Sequence, residues 1–205
     1  GDGISLANQG GDFSILGDED IISEGVGRTY GLELLLQQKL YKGFYAILSY
    51  TYFFSEFSDI EGNFRPSAWD SRNLFSFTGG YKFGKNYELS LRTRVVDRTP
   101  YAPVDEDRTL ENYPLVFVDY DQLGEVFLKP FYQTDIRFDK KWNTKYFALN
   151  LYFEVQNAFA QAVPTPPQFA LARDESGQLS EPFSLTQLPD GAGVALPTIG
   201  IVFDF

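Results

Sequence analysis

The segment Tyr87 to Val96, YELSLRTRVV, limits what this chain can fold into more than any other stretch. Side chains alternate sides along a strand. Tyr87, Leu89, Leu91, Thr93 and Val95 therefore share an apolar face, while Glu88, Ser90, Arg92 and Arg94 share a charged one. Tyr146 to Asn157 repeats the pattern, with Phe147, Leu149, Leu151, Phe153 and Val155 set against Asn150, Tyr152, Glu154 and Gln156. In Tyr132 to Lys140, Gln133, Asp135, Arg137 and Asp139 oppose Tyr132, Thr134, Ile136 and Phe138. Tyr30–Leu40, Phe44–Ser55, Leu74–Phe83 and Pro197–Phe205 fit the same template less regularly, and Ile4–Asn8 reads as the tip of a further strand.

These segments run to about ten residues or more. A tilted membrane crossing by a β-strand takes ~9–11 residues, whereas strands of soluble sheets cluster at ~5–6. The connections alternate in length. Short turns are expected at Tyr41–Gly43, Gly84–Asn86 and Lys141–Lys145, and long polar loops over roughly 9–28, 57–69, 97–127 and 158–196. Short turns at one end and long loops at the other characterise outer-membrane barrels. Tyr30, Tyr41, Phe83, Tyr87 and Tyr146 near the strand ends fit an aromatic girdle. A soluble antiparallel sandwich also alternates. Strand length, loop asymmetry and polar faces rich in paired charge favour the membrane reading, since structureless loops beyond ~12–15 residues are uncommon in compact domains.

Composition agrees. There are 20 Phe, 13 Tyr and 18 Gly among 205 residues, and no run approaches a membrane helix. Mean hydropathy is −0.23, which does not discriminate, because only alternate residues of a transmembrane strand face lipid. The net charge of −11 argues against a nucleic-acid surface. Without His or Cys, histidine-based triads, HExxH zinc sites, thiolate sites and disulfides are excluded. No catalytic residue, metal site or cofactor is assigned, and the expectation is a protein that is not an enzyme. With no Met and no basic-then-apolar leader, the chain is read as a mature product or a piece of a longer one.

The terminal TIGIVFDF resembles the recognition signal of outer-membrane barrels, with Thr198, Gly200, Phe203 and Phe205 in its polar, glycine, apolar and terminal positions. More widely, GRTYGLELLLQQKL, YAILSYTYFFSEF, SAWDSRNLFSFTGGYKFGKNYELSLR, TPYAPVD, FYQTDIRFDKKWNTKYFALNLYFEVQNAF and LPTIGIVFDF together resemble the C-terminal barrel portion of TonB-dependent outer-membrane receptors of the Bacteroidetes type. Arg72-Asn73 stands where that family often has a basic residue followed by His. The resemblance implies an all-β, antiparallel, up-and-down transmembrane barrel. Residues 1–205 would supply about seven C-terminal strands of a barrel of ~22, with the plug domain absent from this chain. It implies active import of a scarce solute (a metal chelate, vitamin, glycan or peptide) across the outer membrane of a Gram-negative bacterium. The partners it implies are outer-membrane lipid, the remaining strands and plug, the TonB energy-coupling protein, the barrel-insertion machinery and a surface lipoprotein lid. A passive porin, a surface adhesin built on the same barrel, and a soluble β-rich binding domain are the alternatives.

Some groups invite a chemical reading. Asp135 and Asp139, with Arg137 between them, could form an acid/base pair, but a wall of mutually satisfied charge is the simpler expectation. The acidic runs Asp18-Glu19-Asp20 and Asp105-Glu106-Asp107, and the pair Asp119 and Asp121, could supply oxygen ligands to calcium, but they have no EF-hand spacing and read more simply as solvated faces. Tyr101, Tyr113 and Phe117 are the loop candidates for substrate contact, with Tyr120 and Phe127 beside them.

Overall fold

The structure is a computed structural model that describes residues 3–9 and 22–204. In chain order it contains α1 (Leu6–Gln9), β1 (Gly27–Tyr41), β2 (Phe44–Ser58), β3 (Phe64–Pro66), β4 (Asn73–Phe83), β5 (Tyr87–Val96), α2 (Glu106–Glu111), β6 (Phe131–Asn143), β7 (Ala148–Gln156), β8 (Phe169–Leu171), β9 (Leu185–Gln187) and β10 (Leu196–Asp204). The long strands form one antiparallel sheet in the order β1-β2-β4-β5-β6-β7-β10, with β3 folded back on the end of β2. The sheet is open, with β1 and β10 at its edges. The all-β antiparallel expectation holds.

Register carries each strand's alternation across the sheet. Leu91 lies opposite Gly79 and Ile136, and Ile136 opposite Val155. Arg92 lies opposite Thr78 and Asp135. Because directly paired residues share a face, the sheet has one continuous apolar face and an opposite face that is polar over β5, β6 and β7 and mixed over β1 and β2, where Leu35, Ile47 and Phe53 lie.

Neither large surface is covered by this chain. Among the described residues Leu123 is the one large apolar side chain that is buried; with it are Gly79, Gly80, Pro100 and nine polar residues, Asn8, Ser55, Ser58, Ser67, Asp70, Ser71, Thr109, Thr134 and Asp135. Meanwhile Leu32 is 77% exposed, Ile199 72% and Ile201 60%, all on the apolar face. Soluble domains place such residues inside. The usual order of burial is inverted.

All three short turns lie at one end. Lys42-Gly43 turns tightly between β1 and β2, and Gly43 takes φ 88°, where a side chain is strained. Gly84–Asn86 joins β4 to β5, and Thr144–Phe147 joins β6 to β7, closed by Phe147 N–H donating to Thr144 Oγ1 at 3.1 Å. β10 also ends here, since Asp204 pairs with Ala148 at the start of β7. The loops gather at the other end.

Two expectations are corrected. Ile4–Asn8 is not a strand tip; the chain turns helical at Leu6–Gln9, and the Asn8 amide donates to the carbonyls of Arg65 and Pro66 at 3.1 and 2.8 Å. The expected turn at Lys141–Lys145 begins later, because Lys141 and Trp142 still pair with Asn150 and Leu149. Asp18-Glu19-Asp20 and Phe205 lie outside the described residues.

Gly200 is required by a close approach. It lies opposite Tyr152, whose ring occupies the space a Cβ would take, and the Arg137 guanidinium stacks on that ring at 3.8 Å. Gly200→Val is expected to lower stability by about 1–3 kcal/mol in equilibrium unfolding. Tyr152→Ala in the same chain should restore part of that loss, and strict additivity of the two changes would contradict the stacking account.

Candidate functional site

Two regions could do chemistry or bind: the polar face of the sheet and the knot of loops at the long-loop end. On the polar face, the charges are arranged in contacts both across and along the strands. Arg92 donates to Asp135 Oδ2 through Nε and Nη2 at 2.9 and 2.7 Å. Oδ1 of the same carboxylate accepts from Gln133 Nε2 at 2.8 Å and from the Asn157 N–H at 2.9 Å. Asp135 is thus buried with both oxygens engaged, tying β5, β6 and the end of β7 together. Arg137 forms a two-pronged pair with Asp139 at 2.9 and 2.8 Å and lies 3.6 Å from Glu154. Asn150 Nδ2 adds a third bond to Asp139 at 2.7 Å. Tyr45 donates to Glu88, which also faces Lys82 at 3.5 Å.

Asp135 and Asp139 therefore serve separate arginines and do not share a proton. Charge-assisted bonds of this kind hold strands in register. A concavity of about 530 Å³ opens beside them, lined by Lys82, Glu88, Asp139, Lys141, Asn150 and Asp204 among others.

The loop end is more densely built. Ser67, fully buried, donates through Oγ to Ser55 Oγ at 2.9 Å, and its N–H bonds the Ser55 carbonyl at 2.7 Å. Asp70 follows it, 1% exposed. Burial pushes its carboxyl above the usual range, and the Arg72 guanidinium, 3.1 Å away, offsets this only in part. No hydrogen bond of good geometry reaches either carboxylate oxygen. Arg72 itself, at φ 58°, stacks on Phe54 at 3.9 Å.

Arg65 clamps two loops. It contacts Asp59 at 3.3 Å from Nε, the Tyr120 carbonyl at 3.0 Å from Nη1 and Asp121 Oδ1 at 3.3 Å from Nη2. Asp59 in turn accepts from the N–H groups of Glu61 and Asn63 at 3.0 and 2.8 Å.

The loop between β5 and β6 folds on itself. Asp105 caps α2, accepting from the Arg108 N–H at 3.0 Å, and Thr109 Oγ1 accepts from the Phe117 N–H at 2.9 Å. Arg108 covers the Phe117 ring at 4.2 Å, and Arg98 covers Phe127 at 4.6 Å. Asp119 accepts from the Asp121 N–H at 3.0 Å and from Gln122 Nε2 at 2.7 Å. Acidic residues 105, 119 and 121 are therefore used in caps and a clamp, and the described residues contain no grouping of three His, Cys, Asp or Glu suited to a metal.

The three loop aromatics differ in setting. Phe117 is packed beneath Arg108, Tyr101 is half-buried with its N–H on the Val126 carbonyl at 3.2 Å, and Tyr113 stands 44% exposed. Thr198 and Gly200 lie on the polar face opposite Glu154 and Tyr152, and Phe203 lies on the apolar face opposite Leu149. The Arg65 clamp and the buried Asp70 gave no local signal, since each depends on residues distant in sequence.

Comparison with known proteins returns no match: no family model, curated protein or solved structure matches this chain.

Two outcomes follow from the loop geometry. A carboxyl whose pKa is raised by folding costs stability above that raised value, and the cost disappears once both folded and unfolded forms are protonated. Asp70→Asn is therefore expected to stabilise the protein at pH 7, with the advantage shrinking as the pH falls to about 4. Unfolding curves across that range check it, and a pH-independent difference would contradict it. Arg65→Ala should release the loop around residues 112–126, seen as faster cleavage there in limited proteolysis with the sheet left intact.

Proposed function

We propose that this chain is a stretch of a bacterial outer-membrane β-barrel and, within that class, part of a TonB-dependent receptor that imports a scarce solute. The observation that carries the membrane part is the inverted burial. The apolar face of seven long strands is uncovered, while Leu123 is the one large apolar side chain buried among the described residues and nine polar ones are buried. Lipid is the medium that satisfies such a face, and a strand wall is one of only two ways to cross it with every backbone group paired.

The dimensions support the reading. On β2 the apolar-face aromatics Phe44 and Phe54 are ten residues apart. That is ~33 Å along the strand, or about 25 Å along the membrane normal at a tilt of ~40°, the height of the apolar band of such barrels. Rings cluster at both levels. Tyr30 stacks on Phe54 at 5.0 Å near the loops, and Tyr81, Phe83, Tyr87 and Phe138 contact one another in series near the short turns. Short turns then face the periplasm and long loops the exterior.

The open edges at β1 and β10 need further strands, since unpaired edge groups in lipid cost several kcal/mol each. A larger barrel supplies them. The polar face then lines the lumen, where a plug would sit against its charges. The importer reading itself rests on the sequence resemblance. In this reading the protein binds its solute outside, and the periplasmic TonB protein drives the plug. Recognition falls to the plug and the loops, with Tyr113 the most accessible of the three loop aromatics. The side chains perform no covalent chemistry and hold no cofactor. Insertion depends on the barrel-insertion machinery reading β10, and a surface lipoprotein could cap the loops.

Substitution separates the two faces. Leu91→Arg is expected to cost about 2–4 kcal/mol and to reduce the membrane-integrated fraction, as an arginine at mid-bilayer does. Ser90→Gln, one residue away on the polar face, is expected to change little. Equal tolerance of both in an alkaline-wash integration assay would sink the membrane reading. Transport is tested on the native protein. A plug-sized domain ahead of Gly1, and uptake that stops when the proton-motive force is collapsed, support the receptor. Flux that survives the collapse supports a passive pore.

A further inference from the structure

The basic residues are sorted by type along the strands. Seven of the eight lysines lie within four residues of the three short turns. Lys42, Lys85 and Lys145 are in the turns, and Lys39, Lys82, Lys140 and Lys141 are in the last residues of the strands entering them. The eighth, Lys129, precedes β6 at the opposite end, and none of the nine arginines is at the short-turn end. At the other end, the loop between β5 and β6, residues 97–130, carries eight acidic residues against three basic ones.

Only two of the seven lysines are matched by carboxylates in the sheet: Lys82 with Glu88 at 3.5 Å and Lys141 with Asp204 at 3.6 Å, both on the polar face. Lys39, Lys42, Lys85, Lys140 and Lys145 have no carboxylate partner among the described residues. Lys140 is the informative one. Its strand position places it on the apolar face, opposite Tyr87 and Leu151. Its ammonium lies 3.9 Å from the Tyr87 ring centre and 5.5 Å from that of Trp142, and donates to the Lys85 carbonyl. Lys42 lies over Tyr41 at 5.3 Å and Lys145 over Tyr146 at 5.6 Å. Each ammonium is thus held at the rim of an aromatic belt, with the apolar stem available to lie along the wall.

From this we infer that the short-turn rim is a binding surface for anionic phospholipid headgroups of the leaflet it meets. The chemistry is complementary. A phosphodiester brings a fixed negative charge to the level of the ring belt, and flexible lysines adapt to a fluid surface of such charges. An acidic protein partner would face the same cations, but Lys140 projects from the apolar face within the ring belt, at the depth of a headgroup. The inference rests on the membrane reading above.

Trp142 reports on the rim directly. The native protein is reconstituted in phosphatidylcholine vesicles carrying either brominated phosphatidylglycerol or brominated phosphatidylcholine as quencher. The Trp142 signal is isolated as the difference from a Trp142→Phe variant. The expected result is preferential quenching by phosphatidylglycerol, about threefold or more at low ionic strength and falling towards parity in ~1 M salt, where the Debye length is about 3 Å. The preference should fall in the combined Lys42→Gln, Lys85→Gln, Lys140→Gln and Lys145→Gln variant and in Lys140→Gln alone. It should persist when the four are changed to Arg and in the remote Lys129→Gln. Equal quenching by the two lipids in the parent, or a preference that survives all four Gln changes, overturns the inference while leaving the membrane reading intact. Absence of quenching by either lipid overturns both.

Discussion

An apolar sheet face that its own chain leaves uncovered is the constraint on which the rest of this structure depends. In water, uncovered Leu, Ile and Phe over seven strands would collapse onto one another or onto a second layer, because burial of apolar area is the dominant gain in folding. Neither happens among the described residues. The strands stay long, their apolar side is left exposed, and the stabilising polar contacts are drawn to the opposite face and to the loop end. Asp135 shows the consequence at one residue. It is among the most buried groups in the sheet, and its oxygens are occupied by Arg92, Gln133 and the Asn157 backbone.

The polar face is built as a wall. Arg92, Arg137, Lys82 and Lys141 each meet a carboxylate, so the positive charges on this face are largely neutralised in place. Arg94 is met by the Gln133 amide instead, at 2.9 Å. A surface of this kind resists strand slippage, because a one-residue shift would separate every pair and turn the apolar residues to the wrong side. The loop end, by contrast, is a compact polar assembly in which Arg65, Ser67 and Thr109 fasten separate loops. It offers a rigid platform on which an exposed residue such as Tyr113 can be displayed.

Much of this was legible along the chain because the determining pattern is local. Tyr87–Val96 is a strand over those same residues, and its faces are the ones its alternation implies. Phe44–Ser55 is harder, since aromatics fall on both faces, yet the partner strands decide it: Leu48 joins Leu36 and Phe77 on the apolar side, while Ser49 joins Leu35 and Ser76 on the other. Strand ends were less legible. β1 begins at Gly27, ahead of the expected Tyr30, because β2 runs on to Ser58 and supplies partners as far as Phe57. Ile4–Asn8 was too short for alternation to mean anything, and the Asn8 amide is committed to the Arg65 and Pro66 carbonyls. In the loops, composition indicated polar connections but not their fastening. Asp105 and Asp119 read as members of acidic clusters, and their roles as caps appear only once the following turns are formed. Asp70 could not be found at all from its neighbours in sequence, since its burial comes from chain that folds over it.

The most direct measurement of the account is residue-by-residue access along β5. The chain contains no cysteine, so single cysteines can be placed at positions 88 to 95 of the native protein in its membrane and challenged with a water-soluble thiol reagent and with a lipid-borne quencher. Positions 88, 90, 92 and 94 should react with the aqueous reagent. Positions 89, 91, 93 and 95 should be protected from it and should instead report contact with lipid. A period of two with this phase is what the sheet predicts. Uniform aqueous reactivity along the strand, or alternation with the opposite phase, would contradict the claim that the apolar face of this sheet is turned to lipid.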